Sequence, residues 1–448
     1  MGEMCTPLEP WIARKIGTPA LDADALRRYQ LHKLQETLEW VRARSPFYRA
    51  RLADVPGTLA ALSDLSWLPF TTAGDIRANP LQFLCTSQSA IHRVVTLDSS
   101  GTTGSPKRLY FTREDQALTI DFFHIGMSTF TDPGDRVLIL LPCERPGSVG
   151  DLLATGLDRL GAVGIKHGLV RDVAQTLQVM VEQQVTGLVG VPAQLLALVR
   201  HPQGRALAGD LAPAIKSVLL STDTVPDTIA GAVSHAWDCA VYNHYGMTEM
   251  GLGGGVECRA RRGYHLREAD LYVEIVDPAT GASLPDGTPG EIVFTTLTRV
   301  GMPLIRYRTG DLSFFMPGPC PCGTQLRTLA PVRGRLSNLR PLGAGGALSM
   351  AVLDAALFPI PDLLDFSVSL ACEEDRECLA VTLLVTLDAD LDVVRLRAQR
   401  ALESLPVIRV PVEMDGLKVV VRVQPESGEA LPYVGKRTIR DRRPWLGC

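Results

Sequence analysis

Residues 98–113 read DSSGTTGSPKRLYFTR, and this stretch decides how the rest of the chain is interpreted. Serine, threonine and glycine fill residues 99–105, and a proline and Lys107 follow directly. Glycine lets a backbone approach a polyanion closely, while hydroxyl and main-chain N–H groups can donate to phosphate oxygens. The flanking segments VVTL and RLYF predict a hairpin that contains the stretch as its turn. The stretch lacks the GxxxxGK[ST] pattern, and its residue types alone fit a phosphate-binding loop, a flexible linker or an exposed polar turn.

The segments on either side of this loop predict an α/β fold. VLILLP (137–142), GLVGVP (187–192) and SVLLST (217–222) indicate buried strands, and amphipathic segments lie between them. This alternation favours mainly parallel sheets flanked by helices. Residues 22–52 are predicted to be helical, with a break at Ser45-Pro46, because proline disfavours a helical residue before it.

Two changes of pattern divide the chain further. Alternating apolar segments within residues 271–315 are separated by turns, which indicates an antiparallel β-subdomain at about 258–333. After a glycine-rich segment, strand and helix patterns return in a small α+β region. We therefore expect a large N-terminal domain, residues 1–336, and a small C-terminal domain, residues 337–448.

Length, composition and charge exclude several classes of protein. With 448 residues, 46% of them hydrophobic, the chain suits a multidomain protein with a large core. The formal net charge of -4 gives no electrostatic basis for binding nucleic acid or an anionic membrane. No apolar run approaches the roughly 20 residues of a membrane helix, and the first residues lack a secretory signal. We expect a cytoplasmic protein with no nucleic-acid or membrane partner.

Further motifs follow the loop along the chain. They are YGMTE at 245–249, YRTGD at 307–311, Gly334-Arg335, and Lys436 in VGKRTIRDRR. Together with SSGTTGSPK, and in this order, they resemble the signature motifs of the adenylate-forming superfamily, which includes acyl-CoA synthetases, luciferases and peptide-synthetase adenylation domains. The segments SPFYR and LSDLSWLPFTTAGDIRANP, with the closing GKRTIRDRR, are similar to the phenylacetate–CoA ligase-like group. The resemblance covers about residues 24–443.

This resemblance implies ATP-dependent activation of a carboxylic acid. The acid would form an acyl-adenylate with release of pyrophosphate in the presence of Mg²⁺, and thioesterification to coenzyme A would follow. In this superfamily the C-terminal domain rotates between the two half-reactions, so residues 337–448 are expected to be mobile. The resemblance to the phenylacetate–CoA ligase-like group implies a small aromatic acid.

The resemblance also implies a role for each motif. Lys436 would bridge the substrate carboxylate and the α-phosphate, Thr248 would contact the α-phosphate, and Glu249 would hold Mg²⁺; these three are the implied catalytic residues. Asp311 would accept hydrogen bonds from the ribose with Arg335 nearby. The ATP- and AMP-binding residues implied are Ser99, Ser100, Gly101, Thr102, Thr103, Gly104, Lys107, Ser221, Thr222, Asp223, Tyr245, Gly246, Met247, Thr248, Asp311 and Arg335.

One position departs from the superfamily pattern. The family often has G-R-x-D at the hinge, whereas this chain has Gly334-Arg335-Leu336-Ser337. The change leaves the domain rotation and the thiol half-reaction open. A second hypothesis therefore stands beside coenzyme A: transfer of the aryl group to a carrier-protein phosphopantetheine or to an amine in natural-product biosynthesis. A non-catalytic nucleotide-binding relative is disfavoured, since Lys436, Glu249 and Asp311 are all present.

The sequence also contains a candidate zinc site. Cys320-Pro321-Cys322-Gly323 resembles a metal knuckle, and Cys258 and His265 lie upstream with Cys-x6-His spacing. Three thiolates and one imidazole form a tetrahedral structural zinc set, which leaves no open position for substrate. The alternative is that these are two unrelated buried cysteines and a surface histidine.

The acyl pocket is assigned by position in the family. The residues expected to line it are Ser148, Val149, Gly150, Pro192 and His244. The segment ERPGSVGD is small and polar, which favours a compact aryl acid with a hydroxyl or amino group. His244 could contact that group or orient the carboxylate, or it could simply be hydrogen-bonded locally. The expected partners are this acid and coenzyme A or an acyl carrier protein, and a homodimer is left open.

Overall fold

The structure, a computed structural model, describes residues 5–97, 106–343, 346–373, 376–426 and 437–443. The α-helices are α1 (Leu8–Ile16), α2 (Ala23–Arg44), α3 (Pro46–Arg51), α4 (Ala73–Ala78), α5 (Arg113–Met127), α6 (Val149–Leu160), α7 (Val173–Glu182), α8 (Pro192–Arg200), α9 (Pro202–Leu211), α10 (Asp227–Trp237), α11 (Met350–Leu357), α12 (Leu391–Glu403) and α13 (Pro406–Glu413).

The β-strands are β1 (Arg93–Leu97), β2 (Lys107–Phe111), β3 (Arg136–Leu140), β4 (Val163–Lys166), β5 (Gly187–Gly190), β6 (Ser217–Leu220), β7 (Ala240–Tyr245), β8 (Gly255–Glu257), β9 (Tyr264–Leu266), β10 (Leu271–Val276), β11 (Gly290–Thr296), β12 (Tyr307–Ser313), β13 (Thr328–Leu329), β14 (Gly334–Arg335), β15 (Arg340–Pro341), β16 (Ala347–Leu348), β17 (Leu363–Glu373), β18 (Arg376–Val385), β19 (Leu417–Pro425) and β20 (Ile439–Asp441). Short 3₁₀ turns lie at Leu62–Trp67, Pro80–Phe83, Gln88–Ala90, Thr248–Met250 and Leu336–Asn338.

The described residues form two compact units whose segments alternate along the chain. The first unit comprises the described parts of Met1–Gly134, Cys143–Gly164 and Tyr242–Val332. The segments of the second are Asp135–Pro142, Ile165–Val241 and the described parts of Arg333–Cys448. Within the described ranges, no helix combines the length and the hydropathy needed to span a bilayer. The predicted boundary after residue 336 stays a prediction.

Local sequence signals explain the helices at the start of the first unit. Asp22 caps α2 by accepting a hydrogen bond from the Ala25 main-chain N–H over 2.9 Å. Ser45 ends this helix and caps the next one, since its Oγ accepts from the Tyr48 N–H over 3.3 Å. Pro46 occupies the first position of α3, where its missing N–H is not needed. The helical prediction over residues 22–52 is confirmed, with the break at Ser45.

The described strand pairs within the first unit are antiparallel, whereas the alternating patterns predicted this only for residues 271–315. β1 pairs with β2 in a register that places Leu97 opposite Lys107, which confirms the hairpin around the opening motif. The turn itself, residues 98–105, lies outside the described residues. β10, β11 and β12 form an antiparallel array with a bulge between Glu291 and Val293. This array is the predicted β-subdomain.

The second unit contains the predicted parallel strands. β3, β5 and β6 pair in parallel. Their residues are almost entirely buried, which explains the continuous apolar runs in the sequence. Helices lie between these strands in the chain, as a parallel connection requires. The predicted α/β fold is confirmed.

The C-terminal part of the second unit is an α+β structure. β17 and β18 form an antiparallel hairpin, β19 adds in parallel to β18, and β20 adds in parallel to β17. Strands β17, β18 and β19 and helix α12 fit the predicted α+β pattern, whereas α11, α13 and β20 had not been predicted. The helix α13 has Pro411 inside it, a residue that normally argues against a helix.

Candidate active site and metal-binding cluster

Two of the sequence motifs contact each other in the first unit. β12 contains both Tyr307 and Asp311 of the YRTGD motif. The hydroxyl of Tyr245 donates to Asp311 Oδ2 over 3.1 Å, and the hydroxyl of Tyr307 donates to Glu249 Oε1 over 3.0 Å. The YGMTE segment is thus joined to β12 at both of its ends by a tyrosine–carboxylate hydrogen bond.

The carboxylate of Glu249 also contacts Lys107, the lysine of the predicted phosphate loop. Lys107 begins β2, is buried, and forms an ion pair with Glu249 Oε1. Its Nζ lies 3.4 Å from the hydroxyl of Tyr307. Burial opposes ionisation of Glu249, but the charge and hydrogen bond of Lys107, aided by main-chain and tyrosine hydrogen bonds, lower its pKa overall. Glu249 is therefore a carboxylate at neutral pH, which is a hard oxygen ligand suited to Mg²⁺.

Two buried arginines that the sequence did not predict hold the turn around Glu249. Arg299 Nη1 donates to the main-chain oxygen of Glu249 over 2.7 Å, and its guanidinium lies 4.4 Å from the ring centre of Phe111. Arg267 donates to the main-chain oxygen of Met250. Neither arginine belongs to a local motif, so only the folded structure identifies them. They fix the 3₁₀ turn that contains Thr248 and Glu249.

The glycine of YGMTE is explained by close packing. A Cβ atom at Gly246 would lie 2.1 Å from the main-chain oxygen of Leu252 and 2.9 Å from Cε1 of His244. Real Cβ atoms do not approach backbone oxygen so closely, hence any side chain at this position would move the turn. Met247 beside it is buried.

His244 lies half-buried beside two phenylalanines of α5. Its ring centre is 6.2 Å from that of Phe122 and 6.3 Å from that of Phe123. Burial, together with the charge of Arg267, lowers its pKa to about 4. The histidine is therefore neutral at pH 7 and offers hydrogen bonding but no positive charge. The aromatic neighbours were not identified from the sequence.

The other predicted pocket residues of the first unit lie at the start of α6. Ser148 precedes this helix, and Val149 and Gly150 form its first turn. The buried Oγ of Ser148 has no hydrogen-bond partner among the described residues and does not cap the helix. A buried hydroxyl without a partner is a candidate contact for a polar ligand.

In the second unit the predicted residues follow the ends of two parallel strands. Pro192 begins α8 just after β5, and Ser221, Thr222 and Asp223 follow β6. The Ser221 N–H donates to the main-chain oxygen of Gly190 over 3.0 Å. Ligands of open α/β sheets bind beyond such carboxyl ends. Thr222 has a φ of 77°, a left-handed conformation that is rare for a β-branched residue and often marks a functional site.

The remaining predicted site residues are Arg335, the six residues at 99–104, and Lys436. Arg335 lies in β14 of the second unit. Outside the described residues are Ser99, Ser100, Gly101, Thr102, Thr103, Gly104 and Lys436. Their assigned roles stay predictions.

The four predicted zinc ligands come together in the first unit. Cys258 directly follows β8, His265 lies in β9, and the two remaining cysteines lie in the loop before β13. β9 pairs with both β8 and β13, which draws these segments together. The ligand atoms of all four residues lie within 4.8 Å of one another, and all four residues are buried.

The distances suit a tetrahedral metal site. Cys258 Sγ lies 3.7 Å from Cys320 Sγ, and Cys322 Sγ lies 3.5 Å from His265 Nε2. Ordinary zinc bond lengths at tetrahedral angles give about 3.8 Å between two sulfurs and about 3.5 Å between sulfur and nitrogen. His265 Nδ1 lies 3.3 Å from the main-chain oxygen of Arg327. A hydrogen bond to that oxygen requires a proton on Nδ1, so Nε2 is left as the ligand atom.

Comparison with known proteins identifies the family to which the chain belongs. The sequence profile of the family described as "AMP-binding enzyme" matches residues 89–298. A phenylacetate-coenzyme A ligase of Thermus thermophilus is 30% identical over 359 residues, which cover 77% of this chain and 77% of that protein. The chain belongs to the phenylacetate–CoA ligase-like group of the adenylate-forming superfamily. It is accordingly an adenylate-forming enzyme of the acid–CoA ligase type.

Other members of this superfamily are similar over much of their length. A phenylacetate-coenzyme A ligase of Pseudomonas putida is 29% identical, with 70% of this chain and 72% of that protein covered. A solved structure of 2-hydroxyisobutyryl-CoA ligase in the postadenylation state has a TM-score of 0.77 at 21% identity and covers 95% of this chain and 91% of its own. An anthranilate CoA ligase with anthranoyl-AMP has a TM-score of 0.55 at 14% identity, covering 91% and 78%. The structures support the fold.

Proposed function

We propose that the enzyme activates a small aromatic carboxylic acid with ATP and transfers the acyl group to coenzyme A. The observation that carries this proposal is the joined pair of motifs in the first unit. It contains an ionised, buried Glu249 in contact with Lys107, and an Asp311 that accepts a hydrogen bond from Tyr245. These groups are the metal ligand, phosphate-binding cation and ribose acceptor that adenylation needs.

The chemistry assigns each group a task. A substrate carboxylate oxygen bonds to the α-phosphorus, the bond from that phosphorus to the bridging oxygen breaks, and pyrophosphate leaves with the electron pair. Lys436 supplies positive charge where negative charge develops on the α-phosphate. Glu249 would hold Mg²⁺, which would supply positive charge to the phosphate oxygens. The sulfur of coenzyme A then bonds to the acyl carbon, AMP leaves, and the thiol proton passes to solvent.

The proposed acid is compact and aromatic, with a polar substituent. Support comes from the neutral His244 beside Phe122 and Phe123. It also comes from the buried hydroxyl of Ser148, which has no hydrogen-bond partner among the described residues. Because His244 is uncharged, it suits a hydroxyl or amino group better than it suits a carboxylate. The names of the relatives, phenylacetate and anthranilate ligases, agree with this class.

A panel of acids and acceptors tests both the substrate and the acceptor. We expect product formation with phenylacetate, benzoate, 4-hydroxybenzoate or 2-aminobenzoate, and none with palmitate. With coenzyme A as the thiol, mass spectrometry should detect the acyl-CoA. An acyl-adenylate that reacts only with a phosphopantetheinylated carrier protein would favour the second hypothesis, which Ser337 at the hinge keeps open.

We also propose that Cys258, His265, Cys320 and Cys322 hold a structural Zn²⁺. Their burial, spacing and donor set fit this ion, and the four protein ligands fill a tetrahedral coordination shell. The metal would hold β8, β9 and the loop before β13 together, in the unit that also contains Glu249. It would take no part in the reaction.

Replacing Cys320 and Cys322 together by serine should remove the zinc. We expect elemental analysis to find about one zinc per wild-type chain and little in the variant, with a clearly lower melting temperature, because structural zinc contributes several kcal/mol or more. Cys239→Ser, which changes a buried thiol outside the cluster, is the matched control and should retain zinc. Equal zinc content in the double variant would contradict this assignment.

A further inference from the structure

The guanidinium of Arg437 joins two parts of the second unit. Its Nη1 and Nη2 donate to the two carboxylate oxygens of Asp354 over 2.7 and 3.0 Å, in a bidentate pair. Its Nε donates to Asp223 Oδ2 over 3.0 Å. Asp354 lies on α11, whereas Asp223 belongs to the segment after β6. One side chain thus connects the C-terminal part of the chain to the predicted nucleotide-binding segment.

Packing and the main chain hold the same residue in place. The guanidinium carbon lies 4.9 Å from the ring centre of Phe358 and 5.6 Å from that of Phe366. Asn338 Nδ2 donates to the main-chain oxygen of Arg437 over 3.3 Å. The arginine side chain is only 7% exposed. Two aromatic rings contact the guanidinium of Arg437, two carboxylates accept its hydrogen bonds, and Asn338 binds its main-chain oxygen. Together these contacts determine the position of the residue.

The guanidinium of Arg437 lies close to the carboxylates of Asp223, Asp354 and Asp365. The carboxylate of Asp365 lies 3.9 Å away, so three carboxylates surround the guanidinium. Burial opposes the charge of Arg437, yet these carboxylates together raise its pKa. Burial also raises the pKa of Asp354 to about 7, outweighing the effect of the guanidinium. The arginine therefore stays charged, and removing it would leave its acids buried without a cation.

Arg437 is adjacent in sequence to Lys436, the proposed catalytic lysine. Consecutive Cα atoms are about 3.8 Å apart. We propose that Arg437 is a positioning residue for adenylation, since its bridge from Asp354 to Asp223 holds the main chain next to Lys436 at the segment after β6. This inference rests on the proposed function. Thioesterification, which the superfamily performs with that lysine withdrawn, does not need the bond to Asp223.

Separate measurement of the two half-reactions tests this inference. In Arg437→Gln, acid-dependent ATP–pyrophosphate exchange should fall about 10-fold or more, because small misplacements of reacting groups are costly. The acid used is the panel acid with the highest wild-type exchange rate. Thioester formation from its synthetic acyl-adenylate and coenzyme A should change less than about twofold. A residue with only a structural role would lower both rates together.

Two further variants keep the test decisive. Arg437→Lys retains the charge but not the bidentate geometry, so it tests the bridge if the glutamine variant is unstable. Arg205→Gln removes an exposed ion pair with Asp388 between the same two parts of the unit, and it should leave both rates unchanged. Adding Asp223→Asn to Arg437→Gln should lower exchange no further than the larger single effect.

The outcomes separate this inference from the proposed function. Wild-type protein that shows no exchange with any acid would overturn the proposed function and this inference with it. Active wild-type protein whose Arg437→Gln and Arg437→Lys variants exchange normally, or lose both half-reactions in the same proportion, would overturn the inference alone. Strictly additive effects of the Arg437 and Asp223 substitutions would also contradict it.

Discussion

Replacing Lys436 by alanine should reduce acid-dependent ATP–pyrophosphate exchange by about 100- to 1,000-fold, the usual effect of removing one group that stabilises transition-state charge. The lysine would contact the α-phosphate only during adenylation. The same variant should therefore convert a supplied acyl-adenylate and coenzyme A to the thioester at nearly the wild-type rate. Both rates can be measured on one preparation of folded protein.

The matched control for this prediction is Lys418→Ala. Lys418 lies on β19, is exposed, and pairs with Glu373 over 3.3 Å at the surface. Such pairs contribute little to stability, so this variant should be indistinguishable from wild type. Normal exchange in Lys436→Ala would show that the lysine assigned from VGKRTIRDRR is not the catalytic one.

Replacing Glu249 by glutamine should lower pyrophosphate exchange by about 100-fold or more, because the buried carboxylate is the proposed Mg²⁺ ligand. It should also lower the free energy of unfolding by about 3–5 kcal/mol, since Lys107 would remain buried without its counterion. Urea denaturation measures the second effect. The exposed Glu36→Gln, which disturbs only surface contacts with Lys33 and His32, should change neither.

A second substitution separates the two roles of Glu249. Adding Lys107→Met to Glu249→Gln removes the uncompensated charge, so the free energy of unfolding should recover in part. Pyrophosphate exchange should stay low, since the double variant lacks both the proposed metal ligand and the proposed phosphate-binding cation. Recovery of exchange together with stability would show that Glu249 acts through folding alone.

The predictions that succeeded rest on signals that are local in sequence. VVTL and RLYF around the opening loop predicted the β1–β2 hairpin, and the short continuous apolar runs predicted the buried parallel strands. The cysteine–histidine cluster was also indicated by a local signal: Cys320 and Cys322 are two positions apart, and both thiols lie in one loop. The helix α13 was not predicted, and its local sequence argues against a helix, because Pro411 lies inside it and proline usually ends one.

What the sequence could not provide are contacts between distant segments. Nothing near Arg437 in the chain indicates Asp223 or Asp354, because each lies on a separate element that only the fold brings together. The same holds for Arg299 at the turn of Glu249. The neutral state of His244 depends on its burial and on the charge of a distant arginine, neither of which a motif contains.

Acid-dependent exchange of pyrophosphate into ATP is the measurement that tests the central claim most directly. It reports formation of the acyl-adenylate without assuming any acceptor. We predict Mg²⁺-dependent exchange with at least one small aromatic acid of the panel, and loss of that exchange in Lys436→Ala and Glu249→Gln. Absence of exchange with every acid, in folded wild-type protein supplied with ATP and Mg²⁺, would contradict the account.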